Sequence, residues 1–218
     1  MQPEFWHERW RKGQIGFHQS AIDQNLTRHF PELKVAHGTR VFVPLCGKSL
    51  DLKWLRSQGY PVVGVELSAL ALEAFCAENG VPARRRTKGQ FEIYEDSQLE
   101  LHCGDFFALT PADLGEVGCV YDRAALISWA QELREPYVRH LATLLRPGTP
   151  MLLVTMEYLQ SQMPGPPFSL SAAEVQALYS PYYVIEPLGR RDILASEPRL
   201  RARGITELDE ACYRLVRR

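Results

Sequence analysis

The apolar positions of this chain change rhythm near residue 40. Before it, Phe5, Trp6 and Trp10 recur at helical spacing behind Pro3, and after a break at 13–16 a second helix runs through Leu26, Phe30 and Leu33. From residue 40 onward, strands and helices alternate. A strand at 41–45 leads to a helix at 50–58 closed by Gly59. A second strand at 62–67 leads to a helix at 69–79, with Ser68 as N-cap and Gly80 just past its end. Strands follow at 91–94, 99–103 and 118–122, then a helix around 124–129, a helix at 132–145 stopped by Pro147 and Gly148, and a strand at 151–158. The tail changes character: 182–188, 191–194 and 211–216 read as strands with no long helix between them. The pattern predicts an α/β sheet with helices on both faces and an antiparallel edge.

The 218 residues suit one domain with a full hydrophobic core. With a net charge of −1, no global field favours nucleic acid or an anionic membrane. The basic run at 84–88 (RRRTK) reads as a solvated helix-to-strand loop. Five cysteines, odd in number and without a CxxC, argue against metal and disulfide frameworks and for a reducing cytoplasm. No apolar run has the length of a membrane span, and the charged, aromatic N-terminus lacks the apolar core of a signal peptide. The segment 163–169 (MPGPPFS) carries four Pro or Gly in seven residues, which points to a lid or a loop crossing the strand ends.

The chemistry concentrates in VFVPLCGKSLD (41–51) and VVGVEL (62–67). A strand running into a turn and a helix, beside a second strand ending on a lone carboxylate, Glu66, is the layout of a nucleoside site. The GKS at 47–49 is not a triphosphate loop, because Phe42 stands where that loop needs glycine, and Pro44 and Leu45 stiffen the backbone. A dinucleotide site would need GxGxxG, and this turn has one glycine. A nucleoside without phosphates needs no such close approach, and S-adenosylmethionine is one. Asp105 ends another strand, where it either meets an adenine amino group or caps the next helix. Asp122 and Arg123 form a local ion pair, or Arg123 points into the ligand crevice. The aromatic stripe of Phe5, Trp6, Trp10 and Phe17 is either core or a water-excluding lid. No histidine has metal-ligand spacing and there is no GxSxG, so hydrolase and metalloenzyme readings lack support.

Taken together, FW-x3-W at 5–10, GQIGFHQ at 13–19, VFVPLCGKSLDLKWL at 41–55, VVGVELS at 62–68, YDRAAL at 121–126 and RARGITEL at 201–208 resemble the thiopurine S-methyltransferases, especially bacterial ones, nearly end to end. The resemblance implies a class I S-adenosylmethionine-dependent methyltransferase fold. This is a Rossmann-like, seven-stranded mixed sheet with a late antiparallel strand, as one domain over 1–218, with an N-terminal helical cover at 1–39 and a catalytic core at 40–218. It implies Trp10, Leu45, Glu66, Asp105, Phe106 and Arg123 as cofactor-binding residues, with Glu66 on the ribose and Asp105 and Phe106 flanking the adenine. Phe17 and Arg199 would face the acceptor, with Arg201 as the rival to Arg199, and no metal is implied. Two positions depart from the family pattern: Ala124 stands where a glycine is common, and Arg203 replaces an aromatic, which makes the acceptor pocket more polar. The implied reaction is in-line methyl transfer to an aromatic or heterocyclic thiol by a cytoplasmic monomer. Arg199 would favour the thiolate, and there would be no dedicated base. The rivals are a methyltransferase for inorganic selenium, tellurium or other small nucleophiles, and a non-catalytic cofactor-binding module.

Overall fold

A computed structural model describes residues 3–218, which form two compact units, one ending at Tyr121 and one running from Asp122 to Arg218. The first contains helices α1 (Pro3–Arg11) and α2 (Gln24–His29), strand β1 (Val41–Val43), α3 (Leu50–Ser57), β2 (Val62–Glu66) and α4 (Ala69–Glu78). Strands β3 (Arg84–Lys88), β4 (Phe91–Asp96) and β5 (Leu99–Cys103), the one-turn helix α5 (Pro111–Leu114) and the start of β6 (Cys119–Arg123) complete it. Its strand order is β3-β4-β5-β2-β1-β6. Strands β5, β2, β1 and β6 run parallel, and β4 and β3 extend the sheet antiparallel beyond β5. Every residue of β1 and β2 is buried, as expected of parallel strands covered on both faces.

The basic run expected as a loop is instead the edge strand β3. Four of its five residues are exposed, so no apolar alternation marks it in the sequence. Its cations are matched locally: Arg86 Nε lies 2.7 Å from Glu95, Arg85 lies 2.9 Å from Glu73, and Lys88 donates to the carbonyls of Ala112 and Asp113.

The second unit holds α6 (Gln131–Leu144), β7 (Pro150–Glu157), α7 (Ala172–Tyr179), β8 (Tyr183–Asp192), α8 (Pro198–Ala202) and β9 (Asp209–Arg217). Strands β7, β9 and β8 are antiparallel neighbours in that order. The two strands expected at 182–188 and 191–194 are one, β8, whose register slips at a bulge between Pro187 and Gly189. The helix expected around 124–129 shrinks to a 3-10 turn at Leu126–Ser128, because Ala124 adopts a left-handed φ of 67° that no α-helix accommodates. The described residues contain nine strands, against the seven that the resemblance implied. The antiparallel β3 and β4 account for the additional pair. A small core of Tyr158, Met163, Leu200, Ile205 and Leu208 lies under α8.

Gly64 marks the tightest point of β2. A Cβ there would stand 2.9 Å from both Cys46 Sγ and Leu101 Cδ2. Gly64→Ala is expected to cost about 1–3 kcal/mol through overpacking. A urea titration at constant m-value checks this.

Candidate active site

Parallel strands deliver their C-terminal ends to one edge of the sheet, so the residues just past β1, β2 and β5 meet there. Glu66 ends β2 opposite Cys103, and its carbonyl accepts from Gly104 N at 2.9 Å. Its carboxylate is buried and accepts two backbone bonds, from Gly47 N to Oε2 at 3.0 Å and from Ser68 N to Oε1 at 2.8 Å. Each oxygen therefore spends one acceptor direction and keeps another, which is the capacity two vicinal hydroxyls require. Burial pushes the Glu66 carboxyl up to about 7, against the opposing pull of the Ser68, Gly47 and Leu67 amides.

The loop after β1 is shaped around that carboxylate. Leu45 and Gly47 both hold positive φ, 47° and 53°, and Cys46 N donates to Val65 O at 3.0 Å. Ser49 caps α3 through the Asp51 amide. A Cβ on Gly47 would lie 3.4 Å from Trp10 Cζ2, so the indole lies against this glycine. Trp10 is in turn met edge-to-face by Phe17 at 5.6 Å, as is Trp6. No residue of helix α1 is fully buried, and Phe5, Trp6, Trp10 and Phe17 are half-buried, so the aromatic stripe lies outside the fully buried core. Lys48, the lysine of the GKS, pairs with Glu78 at 2.6 Å.

Asp105 is exposed and caps the following 3-10 turn, its Oδ1 accepting from Phe107 N at 3.0 Å. The capping alternative is thus realised with one oxygen. Phe106, next along, is only 4% exposed. Trp10, Phe17, Leu45 and Glu66 belong together around one loop, and Asp105 and Phe106 follow the neighbouring strand.

The second unit carries the arginines. A local Asp122–Arg123 ion pair is one of the two alternatives read from the sequence, and the hydrogen-bond partners of Asp122 lie elsewhere. The Asp122 carboxylate is wholly buried and accepts from Tyr137 OH at 2.7 Å and from Leu126 N at 3.3 Å. Arg199 is exposed on α8. Glu197, at the start of that helix, has its carboxyl raised by burial and by Glu210, while Arg123 and Arg199 draw it down. Arg123 and Arg199 therefore act on a common carboxylate.

The segment 163–169 is fastened rather than loose. Phe168 N donates to Ile127 O at 2.7 Å, Tyr158 OH to Pro167 O at 2.7 Å, and Ser169 Oγ to Tyr158 O at 2.6 Å. Arg134, buried on α6, reaches Ser169 O at 3.0 Å, Trp129 O at 3.1 Å and the Glu174 carboxylate. Sequence reasoning missed Arg134, since one arginine on an amphipathic helix looks like a surface residue. It also missed Asp51, buried near the start of α3, which accepts from Asp23 N at 2.9 Å and from Tyr121 OH at 3.1 Å.

Solved structures with the same architecture are S-adenosylmethionine-dependent methyltransferases. One from Anabaena variabilis superposes with a TM-score of 0.67 at 17% identity, covering 99% of this chain and 95% of that one. The Burkholderia thailandensis 1,6-didemethyltoxoflavin-N1-methyltransferase, solved with S-adenosylhomocysteine, gives 0.66 at 14% identity, covering 97% and 86%. The fold is thus that of S-adenosylmethionine-dependent methyltransferases. The family model for thiopurine S-methyltransferase matches residues 1–218. Thiopurine S-methyltransferases of Nitrosospira multiformis and Pseudomonas fluorescens SBW25 are 48% and 47% identical, the first over all of this chain and 99% of its own, the second over all of both. The chain belongs to the thiopurine S-methyltransferase family, and is an enzyme that uses S-adenosylmethionine.

Two expectations follow from the geometry. A left-handed alanine costs about 1–2 kcal/mol that glycine avoids, so Ala124→Gly is expected to raise the thermal midpoint. Glu66 binds its proton more tightly folded than unfolded, so its contribution to stability is present below the ordinary carboxylate range and lost as pH rises through about 7. Glu66→Gln removes that titration. Its melting temperature relative to the native protein is expected to improve steadily from pH 5 to pH 8 by calorimetry, within a ceiling of about 3 kcal/mol.

Proposed function

We propose that this enzyme methylates the sulfur of aromatic or heterocyclic thiols, with Glu66 as the ribose acceptor. The observation that carries the cofactor assignment is the Glu66 carboxylate, buried between two backbone donors with one acceptor direction left on each oxygen. The thiol assignment leans on the names of relatives sharing nearly half of the sequence end to end.

When bound, S-adenosylmethionine supplies a methyl group on a sulfonium and leaves as a neutral thioether, so no acid is needed at that end. The protein's own part is alignment and exclusion of water, where effective molarities of about 10⁵–10⁸ M are attainable. Glu66 orients the nucleoside from the end of β2. Trp10 lies over the loop at Gly47, braced by Phe17, and keeps water from that face. Asp105 has one carboxylate oxygen beyond its capping bond for the adenine amino group, and Phe106 supplies an apolar wall. At the acceptor end Arg199 holds the thiolate by charge, while Arg123, which acts on the same glutamate, serves the cofactor. A thiol that ionises near neutral pH needs no stronger base than solvent.

Calorimetry with S-adenosylhomocysteine tests the ribose assignment. Glu66→Ala is expected to weaken binding at least about tenfold, as befits two lost hydrogen bonds. Affinity unchanged by the substitution sinks it. With an aryl thiol as acceptor, Arg199→Ala is expected to lower turnover and move the acid limb of the pH–rate profile upward, and Arg199→Lys to restore part of both. Loss of neither rate nor profile removes Arg199 from the acceptor site.

A further inference from the structure

Successive side chains of a strand point to opposite faces, so Asp122 and Arg123 at the end of β6 diverge. Asp122 goes inward. Its carboxylate is wholly buried, and its hydrogen-bond partners, Tyr137 OH on α6 and the Leu126 and Ala125 amides, are neutral. Beyond them stand two more tyrosines, Tyr179 at the end of α7 and Tyr183 at the start of β8. Both are buried, and neither hydroxyl has a hydrogen-bond partner. For stability alone this is a poor arrangement, because a buried carboxylate without a cation costs more than an amide or an apolar side chain of similar size. What the carboxylate does hold is the turn that follows the strand. Ala124 sits there in the left-handed region, and two residues later the chain is fixed by the bond from Leu126 N to Asp122 Oδ1. Asp122 thus ties the end of β6 to Leu126 across Arg123 and Ala124, fixing the backbone from which the Arg123 side chain departs.

We infer that Asp122 is a positioning residue for methyl transfer, its buried carboxylate clamping the turn at Ala124 and so fixing the direction of Arg123. The inference rests on the reading in which Arg123 serves the cofactor. The groups facing Asp122 keep their character across the working range. Burial raises the hydroxyls of Tyr137, Tyr179 and Tyr183, and Arg217, 6.0 Å from the Tyr183 ring centroid, opposes the shift only at Tyr183. Asp122 is therefore the group here that changes charge, its carboxyl held up at about 6 by burial.

A double-mutant cycle reads the connection. Asp122→Ala is expected to weaken S-adenosylhomocysteine binding about tenfold, and Asp122→Asn, whose amide oxygen still accepts from Leu126 N, to recover most of that. In an Arg123→Ala background the Asp122→Ala change is expected to add less than about twofold, since the residue it positions is gone. Tyr137→Phe removes one arm of the clamp without emptying the site. It is expected to give a smaller loss, again absent in the Arg123→Ala background, and serves if Asp122→Ala does not fold. Additive losses, or Asp122 variants that melt earlier yet bind normally, overturn the inference while Arg123→Ala still impairs binding. If Arg123→Ala binds normally, the reading of Arg123 fails and the inference falls with it.

Discussion

The Glu66 carboxylate is the constraint on which the first unit's functional edge depends. It is buried with two backbone amides as its partners, and one of them belongs to a different strand's loop. That long-range bond holds Gly47 against the end of β2 and draws the loop into the positive φ values of Leu45 and Gly47. Once the loop is there, Gly47 offers a bare face to Trp10, and Trp10 gathers Phe17. A carboxylate that burial holds near neutrality is a poor stabiliser of the free protein and a good acceptor for hydroxyl donors.

The second unit uses buried charge differently. Arg134 spends its donors on two carbonyls and the Glu174 carboxylate, fastening the exit of the 3-10 turn and the proline-rich segment to α7. Met163, at the start of that segment, shares a core with Leu200 of α8, the helix that carries Arg199. The segment read from composition as a lid or a crossing loop is thus hydrogen-bonded to its neighbours at Ile127 and Tyr158. Arg203 also belongs to this neighbourhood, where it acts on the hydroxyl of Tyr158. A cation near a tyrosine that anchors the proline-rich segment adds polarity to this side of the unit.

The parallel core was legible because its strands are short continuous apolar runs between glycine-marked turns. The strand expected at 99–103 matches β5, and β1 and β2 differ from expectation only at their ends. Family motifs carried the site residues, and the structure brings Trp10, Phe17, Leu45 and Glu66 around one loop. What escaped did so for physical reasons. Strand β3 has solvent on both faces and therefore no periodicity. Strand β8 is interrupted in sequence by Pro187 and Gly189, where the sheet absorbs the break as a bulge. The stretch after β6 has helical spacing, yet Asp122 and the left-handed Ala124 allow it only one 3-10 turn. That position also explains why glycine suits it: the backbone there favours a residue without a Cβ.

The arginine-rich edge has a consequence for crowded solutions. An open strand edge is a template on which a second chain can extend the sheet, and β3 leaves its outer row of backbone groups without a neighbouring strand. Any chain docking there in register would meet four cations in five residues, three of them already bonded inward to Glu95, Glu73 and the α5 carbonyls. It would have to strip water from those cations and, if it were another copy of the same edge, set arginine against arginine. The same side chains that tie β3 to Glu95, Glu73 and α5 thus make strand addition at this edge costly.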